Sequence, residues 1–474
     1  MAGPKNSRCA ERPPAGVVSL PPSPDLPSLL SAFLGVRLAP GDRLCVALSG
    51  GRDSVVLLHA LSRLAAAGRL PIPLSALSAL HVHHGLSPHA DAWAAFCADF
   101  CAACGVPLAV VRVSVPRASG EGLEAAARRL RHQAFAASGA DWLALAHHRD
   151  DQAETVLLNL LRGAGVAGAA GMLAERPQPT GPALIRPLLD AARAAIDDYA
   201  AAHGLSWIDD ESNADTYFRR NFLRREIMPA LAAHFPGAAP ALARAAGHFA
   251  EAAHLLDELA GLDRAALAAP GEALPLAGFN ALAPARARNL LRGDLLAAGF
   301  RAPDTRWMEE ALRQLARAGG GAETCMATAD GELHVYRGRL YPVPRRAPLP
   351  EAPLRWAGEA ELPWGDGRVR FVAQTGAGIA QSLLAHGGLR LQARLGGERL
   401  QPDARRPRRP LRKLLQEGAV PPWERGRLPC LWCGERLVWV GGFGIDAAFA
   451  CPPDEAGVVP RWEGGALSGD SEAQ

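Results

Sequence analysis

Six consecutive residues, Ser49-Gly50-Gly51-Arg52-Asp53-Ser54, have the composition of a loop that holds phosphate. They lie between an apolar run at 44–48 and a second one that begins at 55, which predicts a turn from a buried strand into a helix. Small residues let backbone amides approach an anion, and the helix N-terminus adds unpaired donors and the positive end of its dipole. The loop lacks the lysine of a Walker motif, and a carboxylate beside polyphosphate makes sense mainly when Mg²⁺ bridges the two. We therefore predict that this phosphate loop binds a nucleotide and that Asp53 positions Mg²⁺.

A second segment, from His147 to Thr155, concentrates groups that bind cations and transfer protons, and we call it the acidic segment. It begins where a predicted strand ends, so Asp150 and Asp151 fall at a helix cap or in the first turn, where the dipole stabilises negative charge. Asp151 and Glu154 are three residues apart and share one helix face. Helix capping alone would explain either aspartate. Three carboxylates and two histidines at one strand end favour a functional site.

Two further segments have both a functional and a structural interpretation. Arg128 lies four residues after Glu124 on a predicted helix, where the two would form a stabilising pair. The segment from His81 to Pro88 follows a predicted strand, and we interpret it as a loop that lines the site, although His83 could equally be a core residue. The residues alone leave these alternatives open.

Cysteine usage favours a reducing compartment over a disulfide framework. The nine cysteines are an odd number spread along 474 residues, so we expect a cytoplasmic protein. Two C-x-x-C pairs, Cys101/Cys104 and Cys430/Cys433, could together form a zinc site. The first pair lies on a helical pattern and the second in an apolar approach to a strand, which favours small core residues instead.

The elements that must position these groups alternate between strand and helix from about residue 40 to 190. Apolar runs predict strands at 44–48, 76–83, 108–115, 142–147 and 184–189, with helical patterns at about 55–66, 90–104, 121–137, 151–162 and 191–203. This alternation predicts an α/β fold with a parallel, doubly wound sheet. Because nucleotide sites in such folds lie at the carboxyl ends of the strands, we expect the phosphate loop and the acidic segment to converge on one edge.

Beyond residue 222 the pattern changes. Residues 222–318 show helical periodicity without clear strands, 331–343 predict a hairpin, and four prolines at 344–353 mark a linker. Short strand-like segments then surround one predicted helix at about 408–418. The expected division is a disordered tail at 1–25, a catalytic domain at 26–221, a helical middle domain at 222–348, an α+β domain at 349–460 and a flexible tail at 461–474.

Positive charge is concentrated in one stretch near the C-terminus. The whole chain carries a net charge of +3, whereas the twenty residues from Arg394 to Lys413 hold eight cations against two anions and so carry +6. This local excess, which we call the basic stretch, suits binding to a polyanion backbone. No stretch approaches the roughly 18 apolar residues of a membrane span, so we expect no membrane partner.

In combination, the motifs resemble those of the bacterial tRNA(Ile)-lysidine synthetases. The phosphate loop alone resembles that of the whole ATP pyrophosphatase (PP-loop) superfamily. The closer resemblance runs in order from about residue 40 to 446 and rests on HVHHGLSPHADAW, EAAARRLRHQAF, HHRDDQAETVLLNLLRGAGVAG, DDESNAD with RRNFLRREIMP, and LGGERLQP with RRPLRKLLQEGAVPPWERGRLP. His132 stands where members of this family usually carry a tyrosine.

The resemblance implies a PP-loop ATPase fold and a two-step reaction on tRNA. ATP would adenylate O2 of the wobble cytidine of tRNA(Ile) with a CAU anticodon, and free L-lysine would then attack C2, so that pyrophosphate and AMP are released. It further implies the role of each site residue: ATP binding by Ser49, Gly50, Gly51, Arg52, Asp53 and Ser54, Mg²⁺ at Asp53, steadying of phosphate charge by Arg128, and binding and deprotonation of lysine by Asp151 and Glu154.

Partners and the main alternative follow from the same resemblance. The basic stretch would bind the tRNA stem, and a homodimer through the catalytic domain is plausible by analogy. The alternative is a tRNA cytidine thiolase of the same superfamily, which would use Cys101 and Cys104 for sulfur or cluster chemistry.

Overall fold

The computed structural model of the protein describes residues 25–116, 122–178, 180–210, 215–318, 324–384 and 388–464. The chain consists of two compact units that divide between Leu255 and Leu256. The predicted tails at 1–25 and 461–474 fall largely outside the described residues, as do residues 211–214 of the DDESNAD motif. No helix within the described ranges has both the length and the apolar character needed to cross a membrane.

A six-stranded sheet forms the centre of the first unit. Its elements are α1 (Leu26–Gly35), β1 (Leu44–Ala47), α2 (Arg52–Ala66), β2 (Leu77–His83), α3 (Ala90–Cys104), β3 (Leu108–Arg112), α4 (Leu123–Ala136), β4 (Trp142–Ala144), α5 (Arg149–Leu161), α6 (Val166–Ala169), β5 (Glu175–Arg176), β6 (Ala183–Ile185) and α7 (Arg193–Ala202). The strand order is β3-β2-β1-β4-β6-β5, and neighbours are parallel except for β5 and β6. The predicted parallel α/β fold is confirmed.

The position of β1 in this order explains where a site can form. The chain runs outward from β1 through β2 to β3 and returns to β4 on the other side of β1; β5 then forms the far edge, and β6 lies between β4 and β5. A crevice opens where the direction of winding reverses, at the carboxyl ends of the central strands. The phosphate loop follows β1 and the acidic segment follows β4, so both lie at this reversal.

The hydrophobic core fixes the start of α2 against the sheet. Val55 to Leu58 and Leu61 of α2 are fully buried, as are Leu44 and Val46 of β1. Each such side chain contributes about 1.5–3 kcal/mol through removal from water. The loop between β1 and α2 is therefore held at both ends by rigid elements.

A helical segment at 219–234 contains a change of helix type. It consists of α8 (Arg219–Phe222), a π-helical turn (Leu223–Ile227) and α9 (Met228–His234). The Met228 amide donates to the Leu223 carbonyl, five residues back. Pro229 follows directly, and its ring would clash with the carbonyl four residues earlier in a regular α-helix, so the wider turn relieves that clash. The long helix α10 (Ala238–Leu267) comes next and crosses the division between the units.

The second unit is built mainly from antiparallel sheets. Its elements are β7 (Leu274–Pro275), α11 (Leu276–Ala281), α12 (Pro284–Ala297), α13 (Thr305–Arg317), β8 (Thr324–Ala327), β9 (Gly331–Tyr336), β10 (Arg339–Pro344), β11 (Leu354–Trp356), β12 (Glu361–Trp364), β13 (Gly367–Thr375), β14 (Ile379–Ala380), α14 (Gln381–Leu384), β15 (Leu389–Gln392), β16 (Arg399–Leu400), β17 (Arg409–Pro410), α15 (Leu411–Glu417), α16 (Pro422–Arg425), β18 (Cys430–Cys433), β19 (Arg436–Val440), β20 (Gly444–Ile445) and β21 (Ala456–Glu463).

In the described part of the second unit, the strands form four sheets, ordered β7-β10-β9-β8, β11-β15-β18-β19-β20, β12-β13-β21-β14 and β16-β17. The hairpin predicted at 331–343 is present as β9 and β10. The expectation that 222–318 holds no strand is wrong at β7, because Leu274 and Pro275 pair with β10. A two-residue strand leaves no periodic signal in the sequence.

Candidate active site

The phosphate loop is a tight turn whose shape depends on Gly50. This residue has a φ of +86°, in the left-handed region that favours glycine. A Cβ added there would clash with Ile208 Cδ1 and lie 3.2 Å from Cys97 Sγ. The Ile208 amide also donates to the Gly50 carbonyl at 2.9 Å. Both the backbone angle and the packing therefore require glycine.

Two serines tie the loop to the first turn of α2. Ser54 Oγ donates to the Gly51 carbonyl at 2.9 Å and accepts from the Ser49 amide at 3.2 Å, and the two hydroxyls lie 3.1 Å apart. Gly51 is the N-cap and brings no side chain that could occupy the amides of the first turn. Those amides are suitable donors for an anion.

Arg52 and Asp53 occupy the first two positions of α2. Arg52 Nη1 lies 2.5 Å from Asp197 Oδ1 on α7, and Arg52 Nε lies 3.4 Å from Asp53 Oδ1. The same guanidinium lies 5.8 Å from the ring of Trp207. Arg52 is therefore anchored between α7 and Asp53, and Asp53 keeps a partly exposed carboxylate beside the loop. Carboxylate oxygens suit Mg²⁺, so Asp53 fits the metal role predicted for it.

The acidic segment reaches the phosphate loop through His148, the N-cap of α5. The His148 amide donates to Asp151 Oδ2 at 3.1 Å. Its buried imidazole places Nε2 3.4 Å from Asp151 Oδ2 and 3.8 Å from Asp53 Oδ2. One ring thus joins carboxylates that follow β1 and β4, which is the convergence expected from the order of the strands.

Asp151 and Glu154 are buried and are brought together by two arginines of the helical segment at 219–234. Arg224 Nη2 lies 2.6 Å from Asp151 Oδ1, and its Nε lies 2.7 Å from Glu154 Oε1. Arg220 Nη2 lies 3.1 Å from Asp151 Oδ1, and its Nε lies 3.3 Å from Glu154 Oε2. The pair of negative charges is therefore balanced by a pair of positive charges. We call these four residues the charged cluster.

Protonation in this region follows from burial and from the neighbouring charges. Burial alone would raise the pKa of Asp151, but the charges of His148, Arg220 and Arg224 bring it below its ordinary value. Burial lowers the pKa of His148. The hydrogen bond with the Asp150 side chain and the charges of Asp151 and Asp53 outweigh burial and raise this pKa above its ordinary value. Burial lowers the pKa of His147 to about 4. At neutral pH the site therefore holds ionised Asp151 beside a neutral His147.

The structure does not bring Arg128 into contact with these groups. Arg128 is exposed on α4, and within the described ranges no hydrogen bond or ion pair links it to the phosphate loop or to the acidic segment. His132 lies four residues after Arg128 on the same helix, and burial and the charge of Arg128 lower its pKa. His81 and His83 have structural partners, since His81 Nδ1 lies 2.9 Å from the Leu48 carbonyl oxygen and His83 Nε2 lies 3.2 Å from Asp91 Oδ1.

Arg220 and Arg224 are the functional candidates that reasoning from single residues missed. In the sequence they stand out only as part of the RRNFLRREIMP motif. Their separation of four residues places both guanidinium groups on one face of a helix. Two buried carboxylates on the facing element need two cations, and this requirement could have pointed to the arginines.

The thiols of the C-x-x-C pairs lie in packed surroundings. Burial raises the pKa of both Cys101 and Cys430 to about 12. It also raises the pKa of Cys104. None of the eight cysteines in the described ranges forms a disulfide. In the same ranges, the one group of at least three potential metal ligands within reach of one another is Cys325, Glu332 and His334, which lies in the second unit.

The basic stretch divides into arginines with structural partners and cations exposed to solvent. Arg394 Nη2 lies 3.0 Å from the buried Glu398, and Arg408 Nη2 lies 2.5 Å from Oδ1 of the buried Asp446. Arg409 pairs with Glu417. The cations with exposed side chains are Arg399, Arg405, Arg406, Arg412 and Lys413. Of these, Arg399 donates to the Arg408 carbonyl at 2.8 Å, and Arg406 lies 3.5 Å from Asp403.

The parallel sheet, the glycine-serine turn after β1 and the free amides of α2 define a PP-loop ATP-binding domain. The family profile described as "PP-loop domain" matches residues 28–231. Two further profiles match the second unit: "TilS substrate binding domain" at 274–341 and "TilS substrate C-terminal domain" at 389–462.

Comparison with whole proteins identifies the family. The tRNA(Ile)-lysidine synthase of Azoarcus sp. is 48% identical over 90% of this chain and 92% of its own length. That of Nitrosomonas europaea is 44% identical over 90% of this chain and 93% of its own length. That of Aromatoleum aromaticum is 46% identical over 91% of this chain and 100% of its own length. The chain therefore belongs to the tRNA(Ile)-lysidine synthase family, as its motifs predicted.

Proposed function

We propose that this enzyme joins free L-lysine to C2 of the wobble cytidine of tRNA(Ile) with a CAU anticodon, by way of an adenylated cytidine. The observation that carries the proposal is the 3.8 Å approach of His148 to Asp53, which places a cluster of carboxylates and arginines beside a phosphate loop. Cytidine O2 is a poor leaving group, and esterification with AMP turns it into a good one. Pyrophosphate leaves in the first step and AMP in the second.

The phosphate loop binds the polyphosphate of ATP. The amides at the start of α2 face the anion, and the Ser49 and Ser54 hydroxyls fix the loop around it. The Asp53 carboxylate holds Mg²⁺, whose charge offsets that of the phosphates. Arg128 reaches the site from α4 to steady the phosphate charge. Such a contact requires the exposed side chain of Arg128 to change its orientation.

The charged cluster binds the lysine side chain and prepares it for attack. Free lysine carries an ammonium group with a pKa near ~10.4, so it must lose a proton before its nitrogen can attack C2. Asp151 and Glu154 hold the cation, and a carboxylate then accepts the proton. Because these carboxylates already accept hydrogen bonds from guanidinium groups, lysine binding requires one arginine to move. Arg220 is the more exposed of the two and makes the longer contacts.

The second unit supplies the tRNA contacts, with the exposed cations of the basic stretch facing the phosphates of the stem. We assign a catalytic domain to 26–221, a middle domain to 222–348 and a C-terminal tRNA-binding domain to 349–460. We further propose a homodimer and a cytoplasmic location, and the location fits the lack of disulfides among the eight cysteines of the described ranges.

The decisive experiment incubates the full chain with ATP, labelled lysine and a tRNA with a CAU anticodon. We expect label in the tRNA together with AMP and pyrophosphate in equal amounts. The same tRNA with G in place of the wobble cytidine is the control. An unlabelled tRNA, under conditions in which a known active enzyme labels it, would contradict the proposed function.

A second experiment separates this function from cytidine thiolation. The double variant Cys101→Ala/Cys104→Ala keeps small apolar side chains in the core, and we expect it to retain lysine transfer. Loss of activity with retained secondary structure would favour chemistry at the thiols.

A further inference from the structure

The helical segment that supplies Arg220 and Arg224 carries exposed aromatic rings. Tyr217 is 88% exposed, and Phe218 and Phe222 are each 45% exposed. The rings of Tyr217 and Phe218 are 6.0 Å apart in an edge-to-face arrangement. We call these three residues the aromatic strip.

The aromatic strip and the arginines of the charged cluster occupy different sides of the same segment. The Phe222 amide donates to the Phe218 carbonyl at 3.0 Å, so these two residues are one helical turn apart and share a face. Arg220 and Arg224 are each two residues from Phe222, which is about 200° around a helix. One side of the segment therefore binds Asp151 and Glu154, while another presents flat apolar rings to solvent.

The start of the aromatic strip is held in place by hydrogen bonds. Asp215 Oδ1 accepts from the Tyr217 amide at 2.9 Å, and the Asp215 carbonyl accepts from Asn221 Nδ2 at 2.9 Å. The most exposed ring therefore projects from a fixed backbone. Leu223, which is buried, anchors the helical part. A rigid, exposed aromatic surface loses little conformational entropy when it binds a partner.

The exposed rings indicate what kind of partner the aromatic strip fits. Arg219 and Arg225 are exposed on this segment, and so are Asp215 and Glu226, so its exposed charges balance. Recognition therefore depends on the rings, and exposed aromatic rings are typical of surfaces that stack unpaired nucleic-acid bases. The strip begins within about two helical turns of the residues that contact Asp151, so bases near the reacting cytidine lie within its reach.

We propose that Tyr217, Phe218 and Phe222 stack on unpaired bases of the anticodon loop next to the cytidine that reacts. This inference rests on the proposed function, because it takes the RNA substrate from there. It assigns the recognition of the loop to stacking on the first unit, in addition to phosphate contacts elsewhere.

The test compares rings with aliphatic side chains. The double variant Tyr217→Leu/Phe222→Leu keeps apolar side chains but removes two flat surfaces, and we expect its affinity for the CAU tRNA to fall about 10-fold or more. The slope of log affinity against log salt stays unchanged, because no phosphate contact is lost. The variant Tyr217→Phe/Phe222→Tyr keeps both rings, and we expect it to bind the CAU tRNA as tightly as wild type. Phe235→Leu serves as the matched control, because this ring beyond the end of α9 is 64% exposed, between the values for Phe222 and Tyr217.

The outcomes distinguish the two proposals. If wild-type enzyme forms lysidine and the double leucine variant binds the tRNA as tightly as wild type, the stacking proposal is overturned while the function stands. A change in oligomeric state in that variant, measured by light scattering, would instead assign the strip to a contact between copies of the chain and would also overturn it. If wild-type enzyme forms no lysidine, the proposed function fails whatever the variants do.

Discussion

Arg224 binds both oxygens of Glu154, with Nε 2.7 Å from Oε1 and Nη2 3.0 Å from Oε2. Two parallel, charge-assisted hydrogen bonds of this kind fix the orientation of both groups. The Glu154 side chain is 4% exposed, whereas that of Arg224 is 31% exposed. If Glu154 is removed, solvent can therefore hydrate the partly exposed guanidinium group. If Arg224 is removed, solvent reaches the buried carboxylate poorly.

The first prediction concerns this pair and the stability of the fold. Arg224→Gln leaves Glu154 buried without its main cation, and we expect the free energy of unfolding to fall by about 3 kcal/mol. Urea denaturation of the full chain measures it. Arg219→Gln, an exposed change in the same segment, is the control and should have almost no effect. Equal stability of both variants would mean that the charged cluster does not support the fold.

The second prediction separates the two chemical steps. Asp151→Asn keeps the shape of the side chain and its hydrogen bond to the His148 amide but removes the charge that faces Arg224. We expect pyrophosphate release to persist while transfer of labelled lysine falls steeply, because the ammonium group loses its counter-charge. Equal loss of both activities would show that Asp151 serves ATP or the metal instead.

The third prediction uses two adjacent glycines. Gly50→Ala requires a left-handed backbone and brings a methyl group against Ile208, so we expect ATP affinity to fall by about 10-fold or more. Gly51→Ala is the matched control, because a Cβ there meets only Ser49 Oγ at 3.4 Å. Calorimetric titration with ATP compares them. Similar affinities for both variants would mean that the shape of this turn does not control nucleotide binding.

The fourth prediction concerns four of the exposed cations of the basic stretch. Replacing Arg405, Arg406, Arg412 and Lys413 together by Gln should weaken tRNA binding and reduce the salt slope by about 3–4, if each cation neutralises one phosphate. ATP affinity should not change. Arg408→Gln belongs in a separate experiment, because it removes a cation from the buried Asp446 and should destabilise the second unit. An unaltered salt slope would exclude the four cations from the tRNA interface.

The fifth prediction follows from His147. Its pKa is about 4 in the folded protein and near 6.5 in an unfolded chain. Between those values the unfolded chain binds a proton that the folded protein does not. The contribution of His147 to the free energy of unfolding is therefore fully present above the unfolded pKa and is lost as the pH falls through this window. The loss amounts to about 3 kcal/mol at most. His147→Asn should flatten the dependence of unfolding free energy on pH, whereas His248→Asn, at an exposed site on α10, should leave it unchanged.

The main features of the first unit were predictable because each left a local signal. Buried parallel strands are continuous apolar runs, and the phosphate loop and the acidic segment can be recognised from their residue types. Their convergence followed from a general property of doubly wound sheets. The division of the chain into functional domains stays a prediction.

The sequence does not show which charged residues form ion pairs when they are far apart in the chain. Asp151 and Arg224 are 73 residues apart, and no local pattern pairs them. The basic stretch illustrates the same limit, since Arg405 and Arg408 look alike in sequence while only Arg408 lies against a buried carboxylate. Pairing depends on the packed structure, which a count of charges does not contain.

The π-helical turn at 223–227 accommodates one extra residue between α8 and α9. Such a turn holds one residue more than a regular helix would use over the same rise. Deleting a single residue there would therefore restore an α-helix and leave the helices on either side in nearly the same relative orientation, whereas a deletion within a regular helix rotates everything beyond it by about 100°. Among homologous chains, a one-residue gap is therefore expected to be tolerated better within these five positions, outside Arg224, than in the helices on either side.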